Sequence, residues 1–275
     1  MFIVSVLCEN SVRRRGLKAE HGLSLWIEVD NQFLLFDTGQ SAVYLANAAH
    51  LGIDIRKADH IILSHGHYDH GNGLISFPFE RANQKLILHV HPLAFSERYA
   101  GSSDHNKRPV GLNWQLADLT VRSDRIDWTD SSAYLTEQTQ LHTVCEKPCE
   151  TVSPGFLIKQ DNLQKKDYFL DEQILISRQP DGLVIICGCC HSGFIQMMNR
   201  VNERYPGEPI HAIIGGFHLG SATNAQMEEI EMLLKSITWN YLVPMHCTGR
   251  QAWCRLRSVF GEKCLLFETG DVLTI

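Results

Sequence analysis

The sequence predicts an α/β fold in which helices cover β-sheets. Five short apolar runs end abruptly in polar, chemistry-bearing residues, as buried strands do where they leave a sheet. Segments with helical spacing lie between them, and the order strand, loop, helix recurs in both halves of the chain.

Residues 1–8 are apolar, lack a basic leader and run straight into Glu9 and Asn10, so they read as a first strand. A lipoprotein reading of Cys8 fails because Leu7 stands where a small residue is needed. The five runs are 33–36 before Asp37, 60–63 before His65, 183–186 before Cys189 and His191, 212–214 before His218, and 241–243 before His246. Residues 41–51 put Val43, Ala46 and Ala49 on one stripe and stop at Gly52, while Phe194, Met198 and Val201 follow i, i+4, i+7 spacing. Residues 223–237 set Met227, Ile230, Leu233, Leu234 and Ile237 opposite Glu228, Glu229 and Glu231. Residues 95–152 are polar with only short apolar runs, and read as an insertion or lid on a single domain spanning 1–275.

A chain of 275 residues that is 44% hydrophobic buries a large core, which excludes disorder as the default. Net charge is −6 and no basic cluster is longer than Arg13-Arg14-Arg15, which argues against nucleic acid as a partner. No run reaches the roughly 18 apolar residues of a membrane span. Nine cysteines is an odd count, and Cys187, Cys189 and Cys190 crowd one apolar run, so a reducing cytoplasm suits the chain better than a secreted disulfide framework. Cys145-x3-Cys149 lacks the second pair that zinc-finger spacing requires. A small-molecule substrate is the remaining partner class, and oligomeric state is not specified.

The chemistry concentrates in Ser64-His65-Gly66-His67-Tyr68-Asp69-His70, which follows Ile61-Ile62-Leu63 and precedes Gly71-Asn72-Gly73. A loop at a strand end gives these donors room to converge. Two imidazoles one residue apart suit one cation, while the adjacent carboxylate and imidazole turn toward a second, ~3.5–4 Å away. A lone histidine in such a loop is more often hydrogen-bonded than metal-bound; three histidines and an aspartate within six residues reverse that balance.

His-x-His-x-Asp-His after an apolar strand resembles the signature of the metallo-β-lactamase-fold metallohydrolases. Leu7-Cys8-Glu9-Asn10, Ala19-Glu20-His21-Gly22-Leu23-Ser24 and Leu35-Phe36-Asp37-Thr38-Gly39-Gln40-Ser41 narrow the resemblance. So do Gly188-Cys189-Cys190-His191-Ser192-Gly193, Gly215-Gly216-Phe217-His218-Leu219 and His246-Cys247-Thr248-Gly249. Together they resemble the subgroup named for 7,8-dihydropterin-6-methyl-4-(β-D-ribofuranosyl)aminobenzene-5′-phosphate synthase. The resemblance implies a four-layer αββα sandwich with two divalent metal ions, Zn as first choice and Mn or Fe as alternatives. It implies His65, His67, Asp69, His70, His191 and His246 as metal ligands.

Cys189 stands where many members carry a bridging carboxylate, so it is a candidate thiolate ligand; the competing reading is an inert buried thiol. His218 is either a group that meets the substrate, catalytic together with Asp69, or a ligand. Asp37 suits the orientation of a ligand histidine, because metal-bound imidazoles donate their other nitrogen to carboxylates. The resemblance makes His21 a cleft residue. His105, Lys107 and Arg108 suit an anionic substrate group or a solvated loop equally well. His89 and His91, flanking Val90, are read as structural or supporting residues.

Three function classes follow. A hydrolase using metal-activated water on a small anionic ester or phosphoester comes most directly from fold and site. A pterin-aryl transferase that releases pyrophosphate comes from the subgroup. A noncatalytic metal-binding sensor is disfavoured by an intact cluster.

Overall fold

The computed structural model describes residues 1–101, 106–149 and 151–275; His105 lies outside them. The chain divides into two compact units. The first comprises Met1–Ser131, Pro154–Asp171 and Glu268–Ile275, and the second Ser132–Ser153 and Glu172–Phe267.

In the first unit a seven-stranded sheet runs in the order β17 (Val272–Thr274), β1 (Ile3–Cys8), β2 (Ser24–Val29), β3 (Gln32–Phe36), β4 (His60–Ile62), β5 (Ile87–Val90), β8 (Ile126–Trp128). β17, β1, β2 and β3 pair antiparallel, whereas β3, β4, β5 and β8 are parallel neighbours. The β2–β3 hairpin turns on Asp30 and Asn31, both left-handed at φ 52° and 60°, the two-residue turn whose twist matches that of the strands. Leu7, Leu35, Ile61, Leu63, Leu88 and Val90 gather in one buried cluster with Tyr44 and Ala48 of helix α1 (Val43–Leu51). Alternation along each strand is what sends these side chains to a common face. α1 ends on Gly52 at φ 77°, whose N–H reaches the carbonyls of Ala48 and Ala49. It begins at Val43 and not at Ser41 because the Ser41 hydroxyl and N–H are both taken by the Glu20 carboxylate. A four-residue helix, α2 (Tyr68–Gly71), follows β4. The unit also holds a small sheet in the order β12 (Leu163–Lys166), β11 (Phe156–Gln160), β6 (Arg98–Ala100), β7 (Arg108–Pro109).

The second unit is a six-stranded sheet in the order β16 (Trp239–Met245), β15 (Ile210–Gly216), β14 (Gly182–Cys187), β13 (Gln173–Gln179), β10 (Thr139–Thr143), β9 (Ser132–Tyr134). β14, β15 and β16 are parallel, so their C-terminal ends lie side by side. Helices α3 (Phe194–Arg204), α4 (Asn224–Ser236) and α5 (Arg250–Phe260) belong to this unit. α4 is entered through a capping box in which Thr223 and Gln226 satisfy each other's backbone N–H groups, and it buries Met227, Ile230 and Leu234. The α/β class is thus realised in both units. Residues 95–152 contribute strands to all three sheets. Among the described residues no helix is long and apolar enough to cross a membrane.

Two of the buried histidines outside the strand-end cluster, His60 and His142, tie these sheets to pH. In the first unit His89 Nδ1 donates to Asp127 at 2.9 Å, and its Nε2 lies 2.9 Å from His60 Nδ1, so a relay runs across β4, β5 and β8. His91, by contrast, has left the strand and accepts the Leu93 N–H at 3.1 Å, capping a single 3₁₀ turn. In the second unit His142 meets the Tyr205 hydroxyl at 3.0 Å. Burial, reinforced by His89, pushes His60 down to about 4, with Asp127 opposing. Burial, reinforced by Arg204 and Arg200, pushes His142 down to about 4. Below the ordinary imidazole value the unfolded chain binds protons that the folded chain refuses, so stability falls as pH drops from about 6.5 toward 4, by up to roughly 3 kcal/mol per group. Urea midpoints measured between those limits should fall with pH, and His142→Gln should flatten part of the slope. An unchanged slope would show that His142 titrates normally.

Candidate metal centre

In the first unit the donors are arranged by one buried carboxylate. Asp37, just past β3, is held at φ 57° and is 1% exposed. Its Oδ1 accepts the Ser64 N–H at 2.7 Å, and its Oδ2 accepts the Ser64 hydroxyl at 2.7 Å and His70 Nδ1 at 2.6 Å. With its proton committed to Asp37, the Ser64 oxygen accepts from His65 Nδ1 at 3.0 Å. Both His65 and His70 therefore spend Nδ1–H on anchoring, which makes Nε2 the nitrogen that could coordinate a cation, the arrangement expected of metal-binding imidazoles. Burial, helped by the neighbouring His70 and His67, holds His65 well below the usual imidazole value, in the neutral form a cation requires.

The loop itself is clamped. Arg98, 1% exposed, pairs with Asp167 at 2.8 Å and Asp171 at 2.7 Å, and the other Asp171 oxygen accepts the Gly66 N–H at 2.8 Å. A Cβ on Gly66 would overlap the Ala94 carbonyl and the Arg98 guanidinium, so only glycine passes this point. Rings of His65 and His67 lie 4.6 Å apart and those of His65 and His70 4.3 Å. His67 packs edge-on to Phe169 at 5.5 Å. Asp69, on the first turn of α2, meets His21 Nε2 at 3.0 Å, and His21 is more than half exposed. Arg108 lies exposed on β7, and Lys107 hydrogen-bonds Gln164.

In the second unit the parallel register does the gathering. β14 delivers Cys189, Cys190 and His191, β15 delivers His218, and β16 delivers His246 and Cys247. Cys190, His218 and His246 all adopt left-handed backbone, at φ 54°, 50° and 48°. Such conformations cost non-glycine residues energy and persist where surroundings over-determine them. The rings of His191 and His218 are 4.2 Å apart. Glu172, 1% exposed, accepts the His191 N–H at 2.6 Å and the Ser192 N–H at 3.0 Å, and also the Ser192 hydroxyl. It does for this loop what Asp37 does for the other. Cys189, His218 and Cys247 place one donor atom each within 4.8 Å of one another. For Cys247 burial works to raise the thiol, but contacts with Cys189 and His218 and the nearby imidazoles outweigh it and leave the group well below the ordinary range.

Sequence reading passed over Arg98, Asp167, Asp171, Glu172 and Cys247. The acid pair Asp171-Glu172, directly before a buried strand, was the one local signal. The chemistry of the donor set fits divalent metal: neutral imidazoles, a carboxylate and thiols, with the anchoring carboxylates in place.

Residues 17–140 match the family model of the metallo-beta-lactamase superfamily. A solved structure described as Tm1679, a metal-dependent hydrolase of the β-lactamase superfamily, is 28% identical with a TM-score of 0.84, over 100% of this chain and 99% of that one. A Methanocaldococcus jannaschii protein designated MJ0448 is 28% identical over 256 residues, 92% of this chain and 93% of its own. The 7,8-dihydropterin-6-methyl-4-(β-D-ribofuranosyl)-aminobenzene-5′-phosphate synthase of the same organism is 27% identical over 272 residues, 93% of this chain and 90% of its own.

Removing the organising carboxylate strands three buried donors at once. Asp37→Ala in metal-stripped protein should cost about 3 kcal/mol in urea unfolding, and Ser64→Ala about 1 kcal/mol. Equal costs for the two would mean that Asp37 is not the hub.

Proposed function

We propose that the chain, which matches the metallo-beta-lactamase superfamily model over residues 17–140, is a hydrolase of that superfamily with a dinuclear metal centre acting on a small, anionic ester or phosphoester in a reducing, cytoplasmic setting. The observation that carries this reading is the hydrogen-bond geometry around Asp37 and Ser64, which occupies Nδ1 of His65 and of His70 and makes Nε2 the nitrogen that would coordinate a cation. His65, His67, Asp69, His70, His191 and His246 would hold the two cations, with Zn favoured by the imidazole-rich set and Mn or Fe(II) also suited. When bound, the metals supply Lewis acidity and water activation near neutral pH.

The chain's own groups do the rest. Asp69 stands next to His21 at 3.0 Å, so a proton taken by the carboxylate has a half-exposed imidazole as its route to solvent. His218 is the corresponding group of the second unit, acting on the substrate. Arg108 and Lys107, on the exposed part of residues 95–152, would receive the substrate's anionic group at the entrance. A second reading, pterin-aryl transfer with release of pyrophosphate, is favoured by the likeness to the synthase along nearly the whole chain.

Elemental analysis of purified protein should find about two transition-metal ions per chain, and His67→Ala and His70→Ala should each lose much of that content with an unchanged far-ultraviolet spectrum. Fully active, metal-free wild type would end the dinuclear reading. Turnover of phosphoesters or lactones in ¹⁸O-labelled water should label the product. Metal-dependent pyrophosphate release that requires an aminobenzene acceptor, with no turnover of the ester panel, would establish the transferase instead. Arg108→Ala should raise KM for an anionic substrate several-fold with little change in kcat; an unchanged KM would place this arginine in bulk solvent.

A further inference from the structure

Cys145 and Cys149, the pair left over from the zinc-finger spacing, stand apart from the other cysteines of the chain. Their sulfurs lie 3.4 Å apart as two free thiols within the second unit. A disulfide bond is about 2.0 Å long, so the gap to be closed is roughly 1.4 Å. The two residues are held with unequal firmness. Cys145 is buried just after β10, next to Val144, whose N–H donates to the Glu172 carbonyl at 2.8 Å. Glu146 pairs with Arg200 and, at 3.3 Å, with Arg204 of α3, which pins the first half of the loop. Residues 146–148 are exposed and Cys149 is half-buried, so bringing the sulfurs together moves surface chain and leaves the core packed. Cys187 and Cys190 also adjoin each other, but both are 2% exposed or less and Cys187 is fixed in β14, so no oxidant reaches them.

We propose that Cys145 and Cys149 form a reversible dithiol–disulfide site, reduced in a reducing compartment and bridged when a low-molecular-weight disulfide of the glutathione class accumulates. Disulfides in reducing compartments are transient, redox-sensing ones, which is the kind a near-contact of free thiols on a surface loop supplies. Cys149, the accessible partner, attacks first. Its thiolate displaces one glutathione thiol from glutathione disulfide and becomes a mixed disulfide. Cys145 then loses its proton to solvent and attacks the Cys149 sulfur, which breaks the mixed disulfide and expels the second glutathione. In sum two S–H bonds of the protein are lost and one S–S bond is made, while two electrons and two protons convert glutathione disulfide to two thiols. The order agrees with the environment of Cys145, whose thiol is held above its ordinary range by burial, reinforced by the Cys149 thiol and by Glu172. What the bridge fastens is the backbone beside the His191 loop. The Ser192 carbonyl accepts the Thr151 hydroxyl at 2.7 Å and faces the Cys149 sulfur at 3.9 Å, and the His191 carbonyl accepts the Ser153 N–H at 2.7 Å. Joining Cys149 to the buried Cys145 ties these contacts to the end of β10. The site is independent of the metal-centre reading, since it needs no cation.

The test is titration of the folded, full-length chain with glutathione buffers of rising disulfide content, with thiols trapped by alkylation and located by peptide mass mapping. The wild type should acquire a Cys145–Cys149 bridge that dithiothreitol reverses, while the buried Cys8, Cys187, Cys190 and Cys264 are alkylated only after unfolding. Exposed Cys254 should take up glutathione without forming a bridge. Cys145→Ser should trap a glutathione adduct on Cys149, and Cys149→Ser should leave Cys145 unmodified, which fixes the order of attack. Hydrogen exchange at the Ser153 amide of the wild type should slow several-fold on oxidation. A wild-type Cys149 adduct that never resolves, a bridge formed only in denaturant, or pairing of either residue with another cysteine overturns the site. An unchanged Ser153 rate once the bridge has formed overturns its hold on the His191 loop. None of these outcomes touches the metal content, so the site and the hydrolase reading fail separately.

Discussion

A single carboxylate buried among backbone and imidazole donors governs the first unit's chemistry. Asp37 accepts three hydrogen bonds, from Ser64 twice and from His70 once, at 2.6–2.7 Å. An ionised group with almost no exposure survives only when its lone pairs are filled. Filling them fixes the loop after β4, and through Ser64 it fixes the His65 tautomer as well.

The same device recurs in the second unit with different residues. Glu172 gathers the N–H groups of His191 and Ser192 and the Ser192 hydroxyl from a buried position directly before β13, whereas Asp37 lies directly after β3. Asp171, its neighbour in sequence, does comparable work within the first unit by accepting Gly66 N–H while paired with Arg98. Two adjacent acids thus serve two loops. Buried ion pairs of this kind contribute little net stability compared with apolar packing, but breaking one partner is costly. Their value here is positional: they hold backbone N–H groups where a donor loop must turn.

Left-handed residues mark where that holding is strictest. Asp37, Cys190, His218 and His246 are all non-glycine residues at positive φ, and each sits within three residues of the end of a strand. A strand that simply continued would alternate its side chains above and below the sheet. The reversal at its end redirects the following side chains along the sheet edge, which is how short loops after parallel strands come to carry function. Glycine is used for the complementary purpose at Gly66 and Gly216, where a neighbouring guanidinium or thiol occupies the space a Cβ would take.

Much of this was legible in the residues alone, and the division has a physical basis. Periodicity located α3, α4 and the strands ending at Asp37, His65, His191, His218 and His246, because apolar spacing reflects a local relation between chain and core. The donor cluster at His65–His70 was legible because four ligating side chains fall within six residues. The start of α1 at Val43 was not, since Glu20 claims Ser41 from more than twenty residues away. Arg98 with Asp167 and Asp171, Glu172 with His191, and Cys247 with Cys189 are separated by between 19 and 73 positions. No spacing rule links such partners, because their proximity is set by strand order and parallel register. Sequence by itself determined which residues carry donors and which segments become strands and helices. Only tertiary structure decided which carboxylate anchors which imidazole and which of the nine cysteines meet a histidine, because burial and long-range hydrogen bonding exist only once the sheets have formed.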